Sequence, residues 1–152
     1  MEKTALSTFA LTSEAFASGQ AIPSQFTCDG VNRPPPLTWS EPPEGTHSFA
    51  LIVDDPDAPG GTFRHWAAYD IPANARLIGE GILQATNDFG KAGYGGPCPP
   101  KGHGLHRYRF KLLALNVDKL GAGPKPSAAQ IEALAAGHLI GRTELVGTYE
   151  RK

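Results

Sequence analysis

The chain has 152 residues, with Lys+Arg 14 against Asp+Glu 15 and a formal net charge of -1. With no basic block, sequence-independent nucleic-acid binding and a polybasic membrane anchor lack an electrostatic basis. No apolar run is long enough to cross a bilayer, and the opening Met-Glu-Lys-Thr-Ala-Leu-Ser lacks a signal-peptide core, so one soluble, cytoplasmic domain over residues 1–152 is expected.

Gly 18 and Pro 14 form an unusually large share of the chain, yet apolar strand-like runs recur between them. That combination predicts a β-rich domain with many sharp turns rather than disorder. Cys28 and Cys98 are too few for a disulfide framework. In a reducing cytosol two free thiols are expected, with a Cys28–Cys98 bridge as the alternative.

In chain order, Thr8–Leu11 and Phe16 read as a short opening strand or two, and Ser18-Gly19-Gln20 as a turn. Thr27-Cys-Asp-Gly-Val-Asn-Arg-Pro-Pro-Pro36 cannot be helical and is predicted to be an ordered loop. Leu37–Trp39 reads as strand, followed by a turn over residues 41–46. Ser48–Val53 is continuously apolar, the pattern of a strand covered on both faces, and is the candidate central strand. It runs into Asp54-Asp55-Pro56-Asp57-Ala58-Pro59-Gly60-Gly61, where proline forces turn geometry. Phe63–Ile71 is a further strand stopped by Pro72, residues 73–92 are mostly loop, and Tyr108–Val117 reads as the longest strand. Ser127-Ala-Ala-Gln130 has capping-box spacing; Ile131, Leu134, Ala135 and His138 form a helical stripe, and Gly137 is the C-cap. Thr143–Tyr149 reads as a final strand.

Residues 93–110 hold the densest chemistry. Five glycines and three prolines lie within residues 93–104, a composition that gives a stiff, shaped loop able to aim backbone N–H groups at one point. Alternation then puts His106, Tyr108, Phe110 and Leu112 on one face, and Arg107, Arg109 and Lys111 on the other. If Phe110 and Leu112 face the core, an imidazole and a phenol sit at its edge under the loop, as at a pocket mouth. A satisfied core Tyr and His fit the same pattern, so this stretch alone supports either reading.

The Asp55–Pro59 turn, the His65-Trp66 strand start and the Pro97-Cys-Pro-Pro100 loop with His106 and Tyr108 together admit three chemistries. The first is capture of an anion by an imidazolium that Asp55 keeps protonated, assisted by loop N–H groups. The second is a metal site using Asp, His and Cys98, although no ligand pair has a pre-organising spacing. The third is a Cys98–His106 nucleophile pair, with no helix N-terminus beside the thiol to activate it. His65 and His106 also have structural roles open to them, and Asp55 and Asp57 are natural turn formers.

In this order and spacing, Asp55-Pro-Asp-Ala-Pro59, His65-Trp66 and Gly96-Pro-Cys-Pro-Pro-Lys-Gly-His-Gly-Leu-His-Arg-Tyr108 resemble the phosphatidylethanolamine-binding protein family, also called Raf kinase inhibitor proteins. Thr27-Cys-Asp-Gly30, Pro35-Pro-Leu-Thr-Trp39 and Glu144-Leu-Val-Gly-Thr-Tyr149 are similar to its bacterial and archaeal branch. The resemblance implies a mostly β fold: an antiparallel sandwich of a large and a small sheet, with one or two short helices and an anion pocket at one end. Asp55, His65, Pro99, Pro100, His106 and Tyr108 would line that pocket, Asp57 and Pro59 would be wall and turn positions, and Cys98 is carried as a ligand-binding candidate. Pro34 replaces a serine common in this branch, so any hydroxyl contact there is lost. Little chain follows Tyr149, where eukaryotic relatives add a helix.

The function expected is non-catalytic binding of phosphate, a phospholipid headgroup or a phosphorylated group, without a cofactor. Regulation of a kinase or protease and a homodimer are implied by resemblance alone. The alternative is a hydrolase or isomerase with His65 and His106 as acid and base and Asp55 as orienter.

Overall fold

The apolar run beginning at Ser48 lies in the middle of a five-stranded sheet. The structure is a computed structural model describing residues 9–152. In chain order its elements are β1 (Leu11–Thr12), a 3-10 turn (Ser24–Phe26), β2 (Thr38–Trp39), β3 (Ser48–Asp55), β4 (Phe63–Pro72), β5 (Leu83–Gln84), β6 (His106–Leu115), α1 (Ala128–Ala136) and β7 (Leu139–Tyr149). The large sheet has the order β5-β4-β3-β6-β7 with every neighbouring pair antiparallel, and β1 pairs with β2 in a small antiparallel sheet.

Alternation along β3 divides the core. Phe49, Leu51 and Val53 face the small sheet, packing with Leu11, Trp39, Trp66, Tyr108, Phe110 and Leu112. Ala50 and Ile52 face the opposite way, against Leu113, Leu115 and the α1 residues Ala128, Ile131 and Ala135. The central strand is therefore covered on both faces, as its continuous apolarity requires.

Under α1 the sheet carries charge. Asp54, almost fully buried, accepts from Arg109 Nε at 2.7 Å and pairs with Lys111 Nζ at 2.9 Å. Lys111 also meets Glu132 of α1 at 3.0 Å, and Glu132 accepts from Arg64 Nε at 2.7 Å. These ion pairs join the helix to β3, β4 and β6. The Ser127 capping box forms as its spacing predicts, Ser127 Oγ accepting from Gln130 N at 3.1 Å and Gln130 Oε1 from Ser127 N at 2.8 Å.

Some boundaries differ from expectation. Thr8 lies outside the described residues, and β1 begins at Leu11. The strand expected over Tyr108–Val117 is β6, which begins at His106 and ends at Leu115, and β7 rather than β6 is the longest strand, starting four residues before Thr143. The helical stripe is buried at Ile131 and Ala135, but Leu134 is exposed.

Candidate functional site

Where β3, β4 and β6 end together, a cavity of about 200 Å³ opens, lined by Asp55, Ala58, Pro59, Phe63, His65, Phe89, Cys98, Pro99, Pro100, His106 and Tyr108. The Asp54-Asp55 doublet ends β3, and alternation sends the two carboxylates to opposite faces: Asp54 under the helix, Asp55 into the cavity wall. His106 and Tyr108 come from the core-facing positions of β6, as their spacing predicts.

His65 arrives by a different route. Strict alternation would put His65 and Trp66 on opposite faces. Val53 pairs with Trp66 and Asp54 with Arg64, so His65 is the extra residue of a β-bulge, a device that re-aims a side chain. Arg64 thus faces α1, while His65 turns to the Tyr108 side, their ring centroids 5.3 Å apart and nearly perpendicular.

The Pro97–Pro100 loop is held from behind. Cys98 is bonded to Cys28, 70 residues away, with Cα atoms 5.4 Å apart. This corrects the expectation of two free thiols: folding lays the Thr27 loop beside the Pro-Cys-Pro loop, where Cys28 N donates to Pro97 O at 3.1 Å. The bridge also removes the Cys98–His106 nucleophile pair and the sulfur of the metal set considered from the sequence. Asn32 Oδ1 accepts from Gly96 N at 2.9 Å, and Tyr94 Oη donates to Phe26 O at 2.6 Å. A Cβ at Gly96 would collide with Phe26 O and Asn32 Oδ1, so the close approach itself requires glycine.

Within the cavity wall, His106 Nδ1 donates to Asp55 Oδ2 at 2.6 Å, both side chains nearly fully buried. Asp55 Oδ1 accepts from Asp57 N at 2.8 Å. His65 Nδ1 lies 2.8 Å from Gly95 O; since a carbonyl only accepts, the proton sits on Nδ1 and leaves Nε2 as an acceptor in the neutral ring. Burial pushes the His65 pKa below its ordinary value, outweighing the upward pull of Gly95 O and the Asp55 charge. His65 is therefore neutral near pH 7, and Asp55 pairs with His106 instead.

Tyr108 is 1% exposed; its hydroxyl lies near the Asp55 carboxylate but makes no hydrogen bond of good geometry among the described residues. Burial first, and the neighbouring Asp55 charge second, raise its pKa strongly, so it remains a phenol and a donor. An unpartnered buried hydroxyl costs about 1–3 kcal/mol, which makes it the group in this wall most in need of a ligand.

Of the residues singled out from the sequence, Asp55, Pro59, His65, Cys98, Pro99, Pro100, His106 and Tyr108 all meet at this cavity. Asp57 stands beside it: its carboxylate is occupied by Arg107, with Oδ2 accepting from Nε at 2.9 Å and Oδ1 from Nη2 at 2.8 Å. The Arg107 guanidinium holds its pKa down at about 2. The nest expected from loop N–H groups does not form at Gly95, Gly96, Gly102 or His103, whose N–H groups donate to His65 O, Asn32 Oδ1, Arg151 O and Pro100 O. Phe63 and Phe89 escaped the sequence reading because apolar rim residues carry no chemical signal. His103, which does not line the cavity but stands against its His106 wall, escaped it too, although it lies in the same glycine-rich stretch; its Nδ1 is 2.7 Å from His106 Nε2.

Fold and site together define a β-sandwich protein with a small His/Asp/Tyr-walled cavity at one end of its large sheet. The sequence profile of the phosphatidylethanolamine-binding protein family matches residues 12–150, and the chain belongs to that family. It is 48% identical over 148 residues to a UPF0098 protein of Aquifex aeolicus, covering 91% of this chain and 86% of the relative. It is 45% identical over 152 residues to the UPF0098 protein PH1269 of Pyrococcus horikoshii, covering 92% and 76%. The crystal structure of Escherichia coli YbcL, described as a new member of the mammalian PEBP family, superposes with a TM-score of 0.90 at 36% identity, covering 96% of this chain and all of that one.

Proposed function

We propose that this protein is a non-catalytic binder of small oxyanions, with phosphate, a phosphomonoester or a phospholipid headgroup as the ligand class. The buried, partnerless Tyr108 hydroxyl carries the reading, set beside a His106 that the Asp55 carboxylate orients. Asp55 fixes the His106 ring with Nδ1 toward the carboxylate, and the Tyr108 phenol adds a neutral donor to the same wall. The family's name is consistent with that ligand class. A cavity of about 200 Å³ favours a headgroup over acyl chains as its occupant.

Isothermal titration of inorganic phosphate, acetate and phosphoethanolamine tests this. Tyr108→Phe is expected to weaken phosphate binding about 10-fold, the worth of a hydrogen bond to a charged group. Unchanged affinity in Tyr108→Phe and in His106→Ala would sink the proposal.

The Asp55–His106 pair also has the form of an orienting carboxylate and a base, which supports the hydrolase or isomerase reading second. Turnover of simple phosphate or carboxylate esters, lost in His106→Ala, would move it to first place. Kinase or protease regulation, a homodimer and a cytoplasmic location remain proposals. The disulfide bears on the last of these, because mesophilic cytosol keeps thiols reduced. Thiol counting on protein trapped by alkylation in intact cells tests it.

A further inference from the structure

Imidazole chemistry limits how His106 meets a ligand. Its Nδ1 is committed to the Asp55 carboxylate at 2.6 Å, so Nε2 is the ring nitrogen left for anything entering the cavity. That nitrogen already has a partner in His103 Nδ1, 2.7 Å away, the two rings meeting edge to face with centroids 4.9 Å apart.

His103 is placed unlike a core residue. It is exposed, and it sits between Gly102 at φ +74° and Gly104 at φ +95°. A Cβ at either glycine would meet nothing within 4 Å, so glycine serves the left-handed backbone there and not a close approach. The turn is fixed at its base, with Gly102 N donating to Arg151 O at 2.8 Å and His103 N to Pro100 O at 3.1 Å. The imidazole itself has no other hydrogen bond among the described residues, so its release breaks one hydrogen bond and the edge-to-face ring contact that accompanies it.

We propose that His103 is a specificity-determining residue of this cavity: it is the resident partner of His106 Nε2, and an anion engages His106 only by displacing it. The inference rests on the anion-binding reading above. With the His106 Nδ1 proton facing Asp55, a neutral His106 accepts from His103, and a protonated His106 donates to it. An oxyanion needs the second arrangement with His103 released. Ligands with a strong acceptor oxygen, such as phosphate and phosphomonoesters, win that exchange. A neutral or apolar molecule of the same size does not.

The test is titration of inorganic phosphate and of glycerophosphoethanolamine into the wild-type protein and His103→Ala, with 15N shifts of the histidine rings followed alongside. His103→Ala is expected to bind phosphate about 5-fold more tightly, because one net hydrogen bond no longer has to be broken. In the wild type, phosphate should shift the His103 Nδ1 resonance toward that of a solvated imidazole. Equal or weaker phosphate binding by His103→Ala, with unchanged melting temperature, overturns the proposal and leaves the anion reading standing. Absence of binding to either probe in both proteins overturns the two together. Preference for glycerophosphoethanolamine over phosphate in both proteins would identify the ligand source as a lipid headgroup, the His103 effect being read from the ratio of the two affinities.

Discussion

His65 shows how much one residue's surroundings decide. As a free imidazole it would be half protonated near pH 6.5, but burial lowers its folded pKa. Below that pH the unfolded chain binds the extra proton first. Its contribution to stability is therefore complete above about pH 6.5 and is lost as pH falls toward the depressed value. We expect His65→Gln to shrink the drop in melting temperature between pH 7.5 and pH 5; an equal drop in both proteins would assign the acid sensitivity elsewhere. Asp57 follows the carboxylate form of the rule. Its pKa is lowered to about 2 by the Arg107 hydrogen bonds, so its stabilisation is present above the ordinary carboxylate range and is lost as pH falls through about 2. Because Arg107 is well exposed, Asp57→Asn should cost only about 1 kcal/mol at pH 7 and progressively less as pH falls toward and below about 2, measured by urea unfolding.

At the scale of elements, the strands were legible where alternation is clean and obscure where it breaks. His106, Tyr108, Phe110 and Leu112 fall on the core face because β6 is regular through them. The first residues of β7 were missed since Leu139 and Ile140 are both exposed and Gly141 interrupts the pattern. Gly141 is explained by packing: a Cβ there would approach Pro43 Cγ to 2.6 Å. The bulge at His65 was also invisible, because its cause is the register between β3 and β4 and not any local residue. The face under α1 carries a testable load. Asp54→Ala would leave Lys111 and Arg109 without their buried carboxylate, and a loss of about 3 kcal/mol is expected in denaturant titrations. A loss below 1 kcal/mol would mean that Glu132 suffices for Lys111 and that solvent suffices for the half-buried Arg109. Ser127→Ala removes the capping hydrogen bond and should cost about 1 kcal/mol.

At the scale of the molecule, the disulfide joins parts of the chain that nothing local relates. Closing a loop of 70 residues restricts the unfolded ensemble by about 4 kcal/mol in the chain-entropy view. The double variant Cys28→Ser, Cys98→Ser should therefore melt about 10 °C lower, and reduced wild type should match it. Its phosphate affinity should fall as well, since Pro99 and Pro100 of the cavity wall flank the bridge; unchanged affinity would show that Asn32, Tyr94 and the β6 start hold the loop unaided. Other ties have the same long range. Tyr149 Oη donates to Asp29 at 2.6 Å, and Arg151 Nε to the same carboxylate at 3.2 Å, drawing the C-terminal residues onto the Thr27 loop.

The convergence of Asp55, His65, Pro99 and Pro100 on one cavity was implied by the family resemblance; by itself, the order of residues determined the strand-rich class, the central strand, the capped helix and the shared core face of His106 and Tyr108. Those features depend on short-range physics: side-chain period, capping spacing, and the φ restrictions of glycine and proline. Tertiary structure alone decided that Cys28 meets Cys98, that Asp55 holds His106 and not His65, that a bulge turns His65 inward, and that His103 occupies His106 Nε2. Each of these is a contact between segments whose separation and register are set by sheet pairing, a property no window of the sequence contains.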